Sequence, residues 1–135
     1  MPEDPEVELV RRGFDAFETM DMEQFTAGWS PDVLWDVSGY EHWPGSKTCY
    51  RGAPEILAEF GQFMSTVRSL RIDVHEVRRV GDRVLALYTE YRREEGEREE
   101  AVLDIGIVYE FGDGQITRID VHTGHPNARK AIGLG

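Results

Sequence analysis

The sequence predicts an α+β domain. Three helices in the N-terminal half pack on a curved, mainly antiparallel sheet, forming a cone with an apolar cavity, and a short helix ends the chain. Three observations predict it. Apolar residues recur at helical spacing through the first half of the chain. Leu103, Ile105, Ile107, Tyr109 and Phe111 alternate with other residues, as in a strand with one buried face. Between these halves an aromatic loop carries Trp35, Tyr40, His42, Trp43 and Tyr50.

Each element has a local cause. The first helix opens at Asp4-Pro5, with Asp4 as N-cap and proline at the first helical position. Val7, Val10, Phe14 and Phe17 form its buried stripe. The second opens at Asp21, with Gln24 in a capping-box position. Met22, Phe25 and Trp29 make its apolar face, and Ser30-Pro31-Asp32 breaks it. Val33 to Val37 reads as a short strand. The third helix starts at Ala53-Pro54, with Ile56, Phe60, Phe63, Met64 and Val67 as a wide apolar stripe.

The rest reads as β. Leu70, Ile72 and Val74 alternate, Gly81-Asp82 turns the chain, and Val84 to Arg92 follows. The Glu94-Glu95-Gly96-Glu97 segment is a solvated hairpin tip. The strand through Leu103 to Phe111 turns at Gly112-Asp113-Gly114 into Ile116 to Thr123. His125-Pro126 starts a last helix ending near Gly133. No repeat or linker divides the chain, so residues 1–135 form one domain.

Composition narrows the function classes. The net charge is −11 and the pI about 4.7, so nucleic acid and anionic membranes are excluded as partners by repulsion. Cys49 is alone, so no internal disulfide forms. The chain shows neither a signal-peptide pattern nor an apolar run of roughly 18 residues. A soluble, cytoplasmic protein is expected.

His42 is the candidate proton carrier, because imidazole titrates near neutrality. Tyr40, two positions away, is its candidate hydrogen-bond partner, and Asp36 and Glu90 are further candidates. The plain alternatives are an exposed loop histidine and a solvated strand-end aspartate. Phe14, Phe17, Trp35, Trp43, Phe60, Phe63, Met64, Tyr88 and Ile107 are the candidate lining of a ligand cavity, with Tyr40 to Trp43 at its mouth. The alternative is that these side chains fill a core. His122 and His125 lack a third ligand in sequence, so no metal is expected. Val108, Glu110, Arg118, Asp120 and His122 fall on the outer sheet face, where a two-fold contact with Glu–Arg pairs makes a homodimer.

These segments carry a resemblance. Residues Val10-Arg11-Arg12-Gly13-Phe14-Asp15-Ala16-Phe17, Ser30-Pro31-Asp32-Val33-Leu34-Trp35, Tyr50-Arg51-Gly52, Gly81-Asp82-Arg83-Val84 and Phe111-Gly112-Asp113-Gly114-Gln115-Ile116 resemble, in order and spacing, a SnoaL-like protein of the nuclear-transport-factor-2-like superfamily. The ending from Ala128 to Leu134 also fits. The resemblance implies a cone-shaped α+β barrel, and relatives commonly pair through the outer sheet face. It leaves function open between polyketide cyclases, isomerases, dehydratases, epoxide hydrolases and non-catalytic proteins. The ketosteroid isomerase catalytic positions fall here on Val37, Gly13 and Ile107, none of which can transfer a proton. The expectation is a small apolar ligand, bound or turned over by acid–base chemistry without metal or organic cofactor.

Overall fold

The computed structural model describes residues 4–134. Asp4 caps α1 (Pro5–Glu18): its Oδ1 accepts from the amides of Glu6, at 3.0 Å, and Val7, at 3.3 Å. The same carboxylate receives Arg79, whose Nε lies 2.8 Å from Oδ2. That guanidinium is the main reason the Asp4 pKa falls to about 2. The cap thus also pins the start of α1 to the sheet.

Asp21 caps α2 (Met22–Thr26), accepting from the Gln24 amide at 3.2 Å. This helix is shorter than its apolar spacing suggests. Trp29, expected on its face, and Ser30-Pro31-Asp32, expected to break it, are instead the first residues of β1 (Trp29–Gly39). The Gly28 carbonyl accepts from the Ile116 amide at 2.8 Å, and Trp29 lies opposite Ile116. Pairing to a distant strand overrides the local helical pattern. Pro31 falls within the register shift between Trp29 and Leu34, where its missing N–H breaks no ladder bond.

After β2 (Cys49–Arg51), Gly52 at φ 81° turns the chain into α3 (Ala53–Ser65). Val67, expected on the helix stripe, opens β3 (Val67–Val80). Then come β4 (Arg83–Glu94), β5 (Ala101–Gly112), β6 (Gln115–Thr123) and α4 (His125–Ala131). Asp113 and Gly114 both have positive φ, as a two-residue turn between twisted strands requires.

The sheet order is β2-β1-β6-β5-β4-β3. All neighbours are antiparallel except β1 and β6. The expected α+β architecture is therefore present. β4 is buried on both faces. Val84, Ala86 and Tyr88 join the main core under the helices. Leu85 and Leu87 pack with Val108, Ala128 and Ile132 under α4. A Cβ on Gly106 would collide with Ala128, so glycine is what lets α4 seat this closely. Val108, expected on an open outer face, is only 1% exposed beneath this helix.

Candidate functional site: an aromatic cavity around a buried carboxyl

A cavity of about 370 Å³ lies between the helices and the concave face of the sheet. Helix spacing delivers Phe14 and Phe17 from α1 and Phe60 and Phe63 from α3, while strand alternation delivers Trp35, Tyr88 and Ile107. These seven and Trp43 all line it, as the sequence suggests. Met64, one position past Phe63, is carried round the helix and is not among the lining residues. Trp29, Trp35 and Trp43 are all of the chain's tryptophans, and all three line the cavity. Trp43 stacks on Phe63 at 5.4 Å and meets Trp35 edge-on at 5.2 Å. Aromatic packing therefore holds these walls against one another.

One polar cluster interrupts this lining. Tyr88, Glu90 and Arg92 alternate along β4 and so share the inward face. Tyr40, just beyond β1, reaches them through a turn in which its amide donates to the Val37 carbonyl at 2.9 Å. Arg92 Nη1 lies 2.7 Å from Tyr40 Oη, and Tyr40 Oη lies 2.9 Å from Glu90 Oε2. A guanidinium only donates, so the phenol oxygen accepts from Arg92 and gives its own hydrogen to Glu90. Arg92 Nη1 also stands 3.6 Å from Oε2. Both interactions engage Oε2, and among the described residues Oε1 has no hydrogen-bond partner.

The electrostatics follow from burial. Glu90 is 6% exposed, and burial raises its pKa against the lowering effects of the Tyr40 hydrogen bond and the Arg92 charge. Burial, then the Glu90 charge, pushes Tyr40 upward. Tyr88 and Tyr109, both lining residues, are raised mainly by burial. Their hydroxyls have no hydrogen-bond partner among the described residues. Glu90 Oε1 and the Tyr88 and Tyr109 hydroxyls are thus polar atoms of lining residues that make no hydrogen bond among the described residues, within an apolar shell.

Three expectations need correction. His42 does not line the cavity: it sits at a turn with φ 60°, its side chain is 90% exposed, and its Nε2 lies 3.4 Å from Glu41 Oε1. The loop is not extended there, so Tyr40 and His42 do not point the same way. Asp36 faces away from the cavity, opposite to its neighbours Trp35 and Val37. Its Oδ2 accepts from Arg118 Nη2 at 2.7 Å, and its Oδ1 from the Ser38 amide at 2.9 Å. Although burial opposes it, the bonds from Ser38 and the charge of Arg118 hold its pKa low. The mouth also differs. Tyr40 is buried, whereas the surface-exposed lining residues are Arg12, Gln24 and Ala27 on and after the first two helices.

Outside the cavity, His125 Nε2 donates to the Tyr88 carbonyl at 2.9 Å. His75 Nε2 meets Thr89 Oγ1 at 2.6 Å, and that hydroxyl donates to Asp104 at 3.0 Å. No group of three or more histidine, cysteine, aspartate or glutamate side chains among the described residues is placed to hold a metal ion. Val37, Gly13 and Ile107, expected at the ketosteroid isomerase positions, are among the lining residues. The sequence signal for the Glu90 cluster was a pair of charged residues continuing the inward alternation of an otherwise apolar strand.

The whole architecture is similar to solved structures. A nuclear-transport-factor-2-like protein of unknown function from Burkholderia pseudomallei superposes with a TM-score of 0.78 at 22% identity, covering 97% of this chain and 99% of its own. TerC, co-crystallised with polyporic acid, gives 0.76 at 22% identity over 96% and 98%. A Catenulispora acidiphila protein with a ketosteroid isomerase-like fold, in complex with trimethylamine, gives 0.71 at 13% identity over 95% and 94%. At these identities the likeness is one of fold. No curated protein sequence matches the chain. The model of the SnoaL-like domain matches residues 10–119, and the chain therefore belongs to the SnoaL-like family.

Proposed function

We propose that the cavity binds a flat, largely apolar small molecule and that Glu90 exchanges a proton with it, without metal or organic cofactor. The observation that carries this reading is the asymmetry of the buried carboxyl: Oε2 is engaged by Tyr40 and Arg92, while Oε1 is left for a ligand. Burial favours the protonated carboxyl and Arg92 favours the carboxylate, so both forms are within reach, as a general acid–base group needs. Tyr40 fixes the orientation of the carboxyl. Cyclisation, isomerisation and dehydration of a cyclic metabolite all use such a group.

Similar folds carry trimethylamine and polyporic acid. Here Arg92 already balances Glu90, so a cationic ligand would gain little at this end of the cavity. A hydroxyl or an acidic C–H directed at Oε1 suits it better. The test is a panel of cyclic metabolites screened by tryptophan quenching, followed by turnover of the hits. Glu90→Gln should reduce turnover about 100- to 10,000-fold while leaving affinity within a few-fold. Full activity in that variant would defeat the role. The inert residues at Val37, Gly13 and Ile107 favour a second reading, a binding domain without catalysis. Binding without turnover across the panel would support it.

The reading includes a cytoplasmic homodimer. Among the described residues no helix is long and apolar enough to cross a membrane. The outer face beyond α4 carries Val102, 59% exposed, opposite Tyr91. The expected Glu–Arg pairs between subunits are less available than the sequence suggests. Arg118 Nε is bound within the chain to Asp120 at 2.8 Å, and Glu110 stands 4.0 Å away. Apolar contact around Val102 and Tyr91 is what remains to drive pairing.

A further inference from the structure

We infer that the ligand of this cavity is an amphiphile: an apolar ring body inside, and an anionic oxygen group, carboxylate, sulfonate or phosphate, held at the mouth by Arg12 and Gln24. This deepens the proposed function and rests on the cavity being a ligand site. Two side chains in the lining carry charge, Glu90 and Arg12, and they differ in setting. Glu90 is buried and neutralised by Arg92. Arg12 is exposed on α1, with the exposed Gln24 of α2 also on the cavity rim.

Neither rim side chain is in use. Among the described residues the Arg12 guanidinium makes no hydrogen bond or ion pair, and Gln24 uses its backbone amide in the α2 cap, not its side chain. Elsewhere the arginines near the cavity walls are engaged. Arg11 donates to the Val77 carbonyl at 3.3 Å, Arg79 binds Asp4 and Glu6, and Arg92 binds Tyr40. A guanidinium fork and a side-chain amide, both exposed and both in the lining of an apolar chamber, match the oxygens of an anionic headgroup. The net charge of −11 repels anions at long range, but a headgroup in contact with Arg12 interacts within the Debye length of about 8 Å. Selection between ligands at this rim is therefore local.

A matched pair of probes tests this: N-phenyl-1-naphthylamine and its 8-sulfonate, identical in ring body and differing in one anionic group. Energy transfer from tryptophan to probe reports binding, and its response to substitution of Arg12 ties that binding to the cavity rim. The sulfonate should bind about fivefold more tightly than the neutral probe at low salt, the scale of one exposed charge pair. Arg12→Gln should abolish that preference, bringing the ratio of the two probes' affinities to about one. Arg12→Glu should reverse it, and 1 M salt should flatten it in the wild type. Equal affinities in the wild type, or a preference that survives Arg12→Gln, would overturn the inference while the cavity reading stands. If neither probe accepts energy from tryptophan, the inference falls together with the cavity reading.

Discussion

Tyr40 and Glu90 lie 50 positions apart in sequence, yet the phenol oxygen of one sits 2.9 Å from the carboxyl oxygen of the other inside an aromatic chamber. The bond ties the end of β1 to the middle of β4 across the open interior. It also fixes which carboxyl oxygen is left without a hydrogen bond.

Removing that phenol should be costly. Tyr40→Phe keeps the ring but leaves Glu90 and Arg92 each short of a buried partner. A loss of about 1–3 kcal/mol is expected from urea unfolding at neutral pH, the usual scale for an orphaned buried group. The loss should shrink below the Glu90 pKa, because the Tyr40 bond favours the charged carboxylate. An unchanged midpoint at pH 7 would show that the bond is not formed in solution.

Glu90 itself sets a pH dependence of known sign. Its folded pKa is raised, chiefly by burial, so the native protein keeps this proton longer than the unfolded chain does. Stability from the site is fully present below the unfolded value, about 4.3, and is lost as pH rises through the folded value. Glu90→Gln does not titrate. Its stability relative to wild type should therefore climb with pH above about 4.3 and then level off. A difference that is flat, or that falls, across pH 4 to 8 would contradict the raised pKa.

The seat of α4 can be tested at one atom. Gly106→Ala places a methyl against Ala128, and overpacking of this kind costs about 1–3 kcal/mol. Amide exchange should accelerate in His125–Ala131 more than in β1. Equal acceleration in both would mean that α4 is not the element displaced.

Pairing of subunits through the outer face predicts a solution mass of twice the 15.4 kDa chain at micromolar concentration. Val102→Lys should shift it toward the monomer. A monomeric wild type would remove the homodimer from the account.

Periodicity made most of the fold legible, because the apolar stripes of α1 and α3 and the alternation of β5 are local consequences of which face is buried. It failed where a distant strand decided the outcome. Trp29 has helical spacing from Phe25, but Ile116 across the sheet captures it. Eight of the nine expected lining side chains line the cavity; seven of them follow from their element's period, Trp43 comes from the loop after β1, and Met64 is not among the lining residues. The polar site was harder to read. His42 is chemically apt, but a positive φ turns it to solvent, and one sequence does not show that. Glu90 is one of several polar candidates in the sequence, and Arg92, which gives it its balance, is there only the end of the strand that runs from Val84.

The most direct test of the central claim is to titrate the Glu90 carboxyl itself, by carbon NMR of glutamate-labelled protein assigned with Glu90→Gln. The account predicts a midpoint above the ordinary glutamate value of about 4.3. It also predicts a further upward move when saturating N-phenyl-1-naphthylamine displaces water from the cavity. A midpoint at or below the ordinary value, unmoved by the probe, would show that Glu90 neither occupies an apolar chamber nor meets the ligand.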